Sequence, residues 1–307
     1  METSGLSYDL LTILGPTASG KTELAAHLAK RINGEVISAD SRQVYRKMNL
    51  GTGKDYDDYN INGYTVPYHL IDIVDAGHKY NLYQYQADFI KVYNDILLRN
   101  RIPILCGGSG LYLESVLKGY KLLPVPENSM LRAKLAPKSD AELIQILSVY
   151  KQLHNQTDID TRKRMIRAIE IEEHYLTKEA SANPFPAIRS VVFGVKYDRA
   201  IEKKRIEQRL ESRLKAGMIN EVNELLNSGL TPDDLIYYGL EYKFITQYII
   251  GEISWEEMFS NLNIAIRQFA KRQMTWFRRM ERNGIKIHWI EGSMPLSQKL
   301  EVVLQMI

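Results

Sequence analysis

Gly15-Pro16-Thr17-Ala18-Ser19-Gly20-Lys21-Thr22 carries the spacing G-x-x-x-x-G-K-[ST], and its flanks settle the fold class. Upstream lies a short apolar run, Leu10-Leu11-Thr12-Ile13-Leu14; downstream, from Lys21 to Arg31, come good helix formers. Strand, glycine-rich turn and helix in that order make a P-loop, whose backbone N–H groups converge on an anion at the helix start. The N–H groups around Ser19 to Thr22 are then expected to point inward, with Lys21 reaching the terminal phosphate and the Thr22 hydroxyl on a magnesium ion. Gly15 to Thr22 therefore form a nucleotide- or ATP-type cradle for a di- or triphosphate.

Working outward, the first third alternates short β-rich runs with helical stretches, which predicts an α/β protein with a parallel sheet flanked by helices, P-loop NTPase-like. Strands are expected at Asp9–Leu14, Glu35–Ser38, His69–Ile73 and Ile102–Cys106, and helices at Lys21–Arg31, Leu82–Arg99 and Gly110–Leu117. The run Val191-Val192-Phe193-Gly194-Val195 reads as a further strand of the same sheet. Its distance from Cys106 predicts an insertion, punctuated by Pro124, Pro126 and Pro137 at its start and by Pro184 and Pro186 at its end. Between them, Ala141–Leu153 and Asp160–Leu176 have helical apolar spacing, so an inserted helical subdomain is expected. The resulting division is a core from 1 to 122, the insertion from 123 to 188, and core completion with basic C-terminal helices from 189 to 307. Helices are expected there at Arg199–Leu214, Ile219–Asn227, Leu240–Ile250 and Trp255–Arg282, then an edge strand at Lys286–Ile290.

The chain has 307 residues and 45% apolar content, enough to bury a sizeable core. Met1 to Asp9 is polar and leaves no room for a secretory leader, and no apolar run reaches the roughly 18 residues of a membrane span. The single cysteine, Cys106, lies in an apolar strand and reads as core packing rather than a reactive thiol. These features predict a cytoplasmic enzyme without membrane association or disulfides. Neither HExxH nor clustered cysteines are present, which argues against catalytic zinc, and His69 reads as structural. Net charge is only +3, but Arg267, Lys271, Arg272, Arg278, Arg279, Arg282 and Lys286 crowd one stretch against the lone acid Glu281. Phe269, Trp276 and Phe277 interleave with them, which favours a polyanion such as nucleic acid over a solvated helix face. Trp276 itself reads as core more than as a stacking residue.

Phosphate binding does not fix the chemistry. An ATPase or GTPase needs an acid ending a hydrophobic strand, yet Pro103-Ile104-Leu105-Cys106 runs into Gly107-Gly108-Ser109-Gly110; a guanine-reading Asn-Lys-x-Asp is also missing. That leaves a small-molecule kinase or a diphosphate-handling transferase. Ligands of open parallel sheets collect beyond the carboxyl ends of the strands, which puts Asp40 beside the P-loop as a proton acceptor, or else as a magnesium-holding or structural acid. Ser109 would approach from a neighbouring strand end, either donating to a phosphate oxygen or capping the following helix. The glycines around it are expected to let its backbone close on an anion.

Several segments together resemble the bacterial tRNA dimethylallyltransferases, also called tRNA isopentenylpyrophosphate transferases. They are Gly15–Thr22, Ile37-Ser38-Ala39-Asp40-Ser41-Arg42-Gln43-Val44-Tyr45, Gly51-Thr52, His69–Ile73, Gly107–Tyr112, Arg164-Met165-Ile166-Arg167-Ala168-Ile169-Glu170, and Arg267 to Arg278 with its Lys271-Arg272-Gln273-Met274-Thr275-Trp276. The similarity covers roughly residues 9 to 290. It implies transfer of a dimethylallyl group from dimethylallyl diphosphate to N6 of adenosine 37 in tRNAs that read codons beginning with U, with Mg2+ as cofactor and release of diphosphate. The P-loop would then hold the diphosphate, Asp40 would be the general base, and Ser109 would stand where the family has a threonine near the reaction centre. Arg205 or Arg209 would contact the diphosphate. Asp40, Ser41, Arg42 and Gln43 would meet the target nucleotide; Lys163, Arg164, Met165, Ile166 and Arg167 on the insertion, with Arg267, Lys271, Arg272 and Gln273, would meet the anticodon stem-loop. The chain departs from the family at Thr52-Gly53-Lys54-Asp55, where Thr-Ala-Lys-Pro is usual, at Ile159 to Arg164, and at Tyr238 to Lys243. A monomer with no obligate protein partner is expected.

Overall fold

The computed structural model describes residues 8–151, 159–177 and 185–307. The chain divides into two compact units, Met1–Gly119 with Ala187–Ile307, and Tyr120–Pro186. In the first, β1 (Leu10–Leu14), β2 (Gly34–Ala39), β5 (Tyr68–His69), β6 (Ile102–Gly107), β7 (Ser190–Lys196) and β8 (Ile287–Glu291) form one sheet in the order β5-β2-β6-β1-β7-β8, with every pairing parallel. A two-stranded hairpin of β3 (Asn60–Ile61) and β4 (Tyr64–Thr65) lies apart from it. Every residue of β1 and β2 is buried, as strands covered on both faces must be, and most are apolar, with Thr12, Glu35 and Ser38 the buried polar members. One core packs Leu11, Ile13, Leu24, Leu28, Ile104 and Phe193. A second gathers Val44, Met48, Ile206, Leu210, Leu262 and Ile266 under the C-terminal helices.

The expected helices are found as α1 (Lys21–Ile32), α2 (Leu82–Leu98), α3 (Gly110–Leu117), α7 (Arg199–Lys215), α8 (Met218–Asn227), α10 (Leu240–Ile249) and α11 (Trp255–Arg282). Three short helices lay hidden in the sequence: α4 (Ser129–Leu135), α9 (Pro232–Tyr238) and α12 (Leu296–Leu304). The strand expected over His69–Ile73 stops after His69, because Leu70 and Asp72 take left-handed backbone angles, φ 60 and 56°. The Asp72 carboxylate accepts there from buried Lys54 and from the Tyr56 hydroxyl. At the sheet edge Glu35, 3% exposed, receives a two-pronged Arg99 pair at 3.0 and 2.7 Å and His69 Nε2 at 2.6 Å, so His69 is structural.

In the second unit α4 packs with α5 (Asp140–Tyr150) and α6 (Arg162–Thr177) around Leu131, Leu135, Leu143, Leu147 and Ile169. Leu153 and Pro184, expected to end a helix and to close the insertion, lie outside the described residues, as does His154.

Candidate active site

The turn between β1 and α1 is built by backbone angles that ordinary residues avoid: Ala18 at φ 61° and Gly20 at φ 78°. Gly15 admits no side chain, because a Cβ there would lie 2.7 Å from the Val195 carbonyl oxygen and 2.6 Å from Ser19 Oγ. Residues Ala18 to Glu23 form one wall of a cleft of about 360 Å³, with Asp55, Asp58, Arg205 and Arg209 on the other. Lys21 Nζ donates to the Pro16 carbonyl at 3.3 Å. Desolvation pulls its pKa below the usual lysine range, and the charge of Arg209 adds to that pull, so an anion in the cleft relieves both penalties.

Both candidate arginines face this cleft. Arg205 Nε donates to the Ala18 carbonyl at 2.9 Å, and its guanidinium lies 4.5 Å over the Tyr197 ring. Arg209 donates to Thr17 Oγ1 at 3.1 Å and to Asp55 at 2.7 Å, while Arg213 holds the other Asp55 oxygen at 2.9 Å. Asp55 is the residue by which the loop departs from the family's usual proline, and here it braces the two guanidiniums. Their charge holds its carboxyl below the usual range although burial acts the other way. That loop is fixed in turn by Glu221 of α8, whose carboxylate accepts from the N–H groups of Asn49, Leu50 and Gly51 at 2.8, 2.7 and 3.0 Å and from the Tyr242 hydroxyl at 2.7 Å.

Asp40 follows β2 and accepts the Arg42 N–H on Oδ1 at 2.9 Å, a local turn that leaves its other oxygen without a protein donor among the hydrogen bonds described. Ser109 follows β6, the strand next to β2, which brings it to the residues flanking Asp40. Its hydroxyl does not cap α3; it accepts the Ser41 N–H at 2.9 Å and donates to Ser41 Oγ at 3.3 Å, tying the turn that carries Asp40. Gln43 is also occupied, accepting from Ser38 Oγ and donating to the Gly53 carbonyl, both at 3.0 Å.

Other expected contacts turn inward. Gln273, 6% exposed, accepts the Thr17 N–H and donates to the Gly108 carbonyl, both at 2.9 Å, so it staples α11 to the P-loop and faces no RNA. The space above Gly108 and Gly110 is filled by Gln273 and by the Trp276 ring, and Gly107 abuts the Ala39 carbonyl of β2. These glycines therefore serve close packing rather than an anion. Trp276 donates to buried Glu114 at 2.8 Å and Phe277 is fully buried, so these two aromatics of the basic stretch turn inward, while half-buried Phe269 has the Arg272 guanidinium 6.0 Å over its ring. Arg267 pairs with Glu207 at 3.1 Å and Arg279 with Glu114 at 3.5 Å, leaving Lys271, Arg272, Arg278, Arg282 and Lys286 as the exposed cations of the stretch. In the helical unit, Met165 is buried and Ile166 packs on the same core, again inward rather than toward RNA. Arg167 braces buried Glu170 and the Val125 carbonyl; Lys163 and Arg164 are exposed, the latter 2.8 Å from Asp160. Cys106 is buried, and burial pushes its thiol pKa up to about 12.

Asp58 escaped the sequence reading because neither its spacing nor its neighbours form a motif. Burial, then the charges of Asp55 and Glu23, push its pKa up to about 6. Ionisation therefore costs the folded state more than the unfolded chain, and that cost sets in as pH rises from about 4 to above 6. In metal-free buffer Asp58→Asn is expected to raise the urea midpoint at pH 7.5 and to leave it unchanged at pH 3.5. An equal shift at both values would remove desolvation of the carboxylate as the cause.

The profile of the IPP transferase family matches residues 43–280, and that of isopentenyl transferase matches residues 8–66. Over 300 residues the chain is 58% identical to tRNA dimethylallyltransferase 2 of Phocaeicola vulgatus, covering 98% of each chain. It is 57% identical over 301 residues to tRNA dimethylallyltransferase 1 of Parabacteroides distasonis, again covering 98% of each. Among solved structures, the full-length tRNA isopentenylpyrophosphate transferase of Bacillus halodurans superposes with a TM-score of 0.71 at 29% identity, covering 98% of this chain and 95% of that one. A phosphate cradle after β1, no acid directly after β6, Asp40 after β2 in the same sheet, and relatives that match nearly the whole chain place it in the IPP transferase family of tRNA dimethylallyltransferases.

Proposed function

We propose that the protein transfers the dimethylallyl group of dimethylallyl diphosphate to N6 of adenosine 37 in the anticodon loop of tRNA, forming N6-isopentenyladenosine and releasing diphosphate. The observation that carries this reading is an anion cleft walled by Lys21, Arg205 and Arg209 in the same sheet as a carboxylate, Asp40, which follows β2, one strand removed from β1, and whose charge acts on Lys21.

Breaking the allylic C–O bond moves negative charge onto the diphosphate and positive charge onto the five-carbon fragment. The N–H groups opening α1, Lys21 and the two arginines meet that growing negative charge in a preorganised site, where such donors act more strongly than in water. The adenine amine is a weak nucleophile because its lone pair is delocalised into the ring. As N6 bonds to the allylic carbon it sheds a proton, and the free oxygen of Asp40 is the acceptor. Ser109 acts by fixing the Asp40–Ser41 turn. Since N6 cannot reach a strand-end pocket while the base is stacked, adenosine 37 must leave the stack.

Magnesium fits the cleft. Thr22 offers a hydroxyl, Glu23 and Asp58 offer carboxylates, and Ser19 Oγ is buried without a protein partner. Such hard oxygen donors suit Mg2+, which commonly completes its shell with substrate phosphates and water. The diphosphate itself would supply further ligands. When bound, the ion would neutralise charge on the leaving diphosphate. The exposed cations of α11 suit phosphate contacts with the anticodon stem-loop. No helix among the described residues is long and apolar enough to cross a membrane.

Incubation with dimethylallyl diphosphate labelled in its carbon chain and an unmodified anticodon stem-loop is the direct test. Label is expected on adenine N6, dependent on Mg2+ and absent when position 37 is guanosine. Phosphate transfer from ATP without adenine labelling would instead establish a kinase.

A further inference from the structure

Beside Asp40 stands an aromatic surface that the reaction so far leaves unused. Tyr238 of α9 is buried, its ring edge-on to Tyr45 with centroids 4.8 Å apart and its hydroxyl accepting the Gly77 N–H at 2.6 Å. The Arg42 guanidinium lies 5.5 Å over that ring, and the Arg42 N–H is the one Asp40 accepts. The neighbouring Tyr237 meets Tyr238 edge-on at 5.7 Å and remains 55% exposed.

A ring held by a buried neighbour yet offered to solvent has lost conformational freedom without burying its own face. That is how proteins present stacking platforms to single-stranded RNA, where unstacked bases lie on aromatic rings and guanidinium planes. Arg42 adds positive charge, which suits the sugar-phosphate chain of the same nucleotide. The reactive adenine must sit at Asp40 itself, so the exposed ring farther out serves its neighbour.

We propose that Tyr237, with Arg42, forms a stacking platform for the nucleotide adjoining the reactive adenosine, holding the loop open while N6 is at Asp40. The idea rests on the proposed transferase reaction. With its base lost from the stack, adenosine 37 leaves a gap on the RNA that a protein ring would offset in energy, and none of the motifs shared with the family includes Tyr237.

The test uses the full chain and an anticodon stem-loop carrying 2-aminopurine beside adenosine 37. Wild type is expected to quench the 2-aminopurine and to prenylate the unlabelled RNA. Tyr237→Ala should abolish most of the quench and raise KM for RNA about tenfold, while KM for dimethylallyl diphosphate stays within about twofold. Tyr237→Phe should restore both RNA readouts, because the ring and not the hydroxyl does the stacking. A Tyr237→Ala enzyme with wild-type quench and RNA KM would overturn the platform, as would a phenylalanine variant as impaired as alanine. Wild-type protein that binds the RNA without prenylating it would instead overturn the transferase reading, so the two failures are distinct.

Discussion

Lys21→Ala is expected to lower turnover at saturating substrates by about two to three orders of magnitude, the range found when one donor aimed at a developing oxyanion is removed. The structure makes Lys21 more than a tether. Its ammonium stands in a partly dehydrated cleft beside the Arg209 charge, donating to the Pro16 carbonyl at 3.3 Å. An anion that grows more negative as the C–O bond breaks gains more from that cation than the ground-state diphosphate does, so the loss falls on kcat as well as on donor affinity. RNA affinity, supplied by cations elsewhere, should remain within a few fold. Steady-state kinetics with varied dimethylallyl diphosphate, paired with RNA binding by fluorescence anisotropy, separates these effects. Full turnover at saturating donor would show that Lys21 binds substrate and transition state alike and contributes nothing to the chemical step.

Much of this site was legible in the sequence because its parts are local. Gly15 to Thr22 specifies its own backbone, so strand, turn and helix stand where the motif puts them, with α1 extending one residue past the expected Arg31. Asp40 and Ser109 were findable by the rule that ligands gather at the carboxyl ends of parallel strands, and β2 and β6 are neighbours. Hidden from sequence were the long-range partnerships. Nothing local announces that Glu221 grips the backbone at Asn49 to Gly51, or that Asp55 braces Arg209 and Arg213.

The same blindness produced the errors. Gln273, Met165 and Ile166 sit among arginines and lysines and so read as RNA-facing. On a helix, however, neighbours in sequence point in different directions, and these side chains take the inward face. Trp276, read as core, does turn inward, its indole N–H on buried Glu114. Short elements such as α9 were missed because a seven-residue helix shows too little periodicity to stand out, although its Thr231 and Asp234 form a capping box.

Asp40→Asn should slow the chemical step by about two to four orders of magnitude, the usual contribution of a positioned general base. Asparagine is the informative replacement because its side-chain oxygen can still accept the Arg42 N–H, as Asp40 does at 2.9 Å, and so preserves the turn that Ser109 and Ser41 also hold. What the amide lacks is an oxygen able to take the proton that N6 sheds. Asp40→Ala removes the turn acceptor too and should lose, beyond the asparagine effect, some affinity for RNA, since Ser41 and Arg42 are then less well fixed. Rapid-quench single turnovers report the chemical step, and equilibrium binding of donor and RNA reports the ground state. An asparagine variant that matches wild type in the single-turnover rate would return Asp40 to a purely structural role. The proton would then have to leave N6 by another route, after the C–N bond has formed, because an alkylated adenine amine is acidic enough to lose it to water.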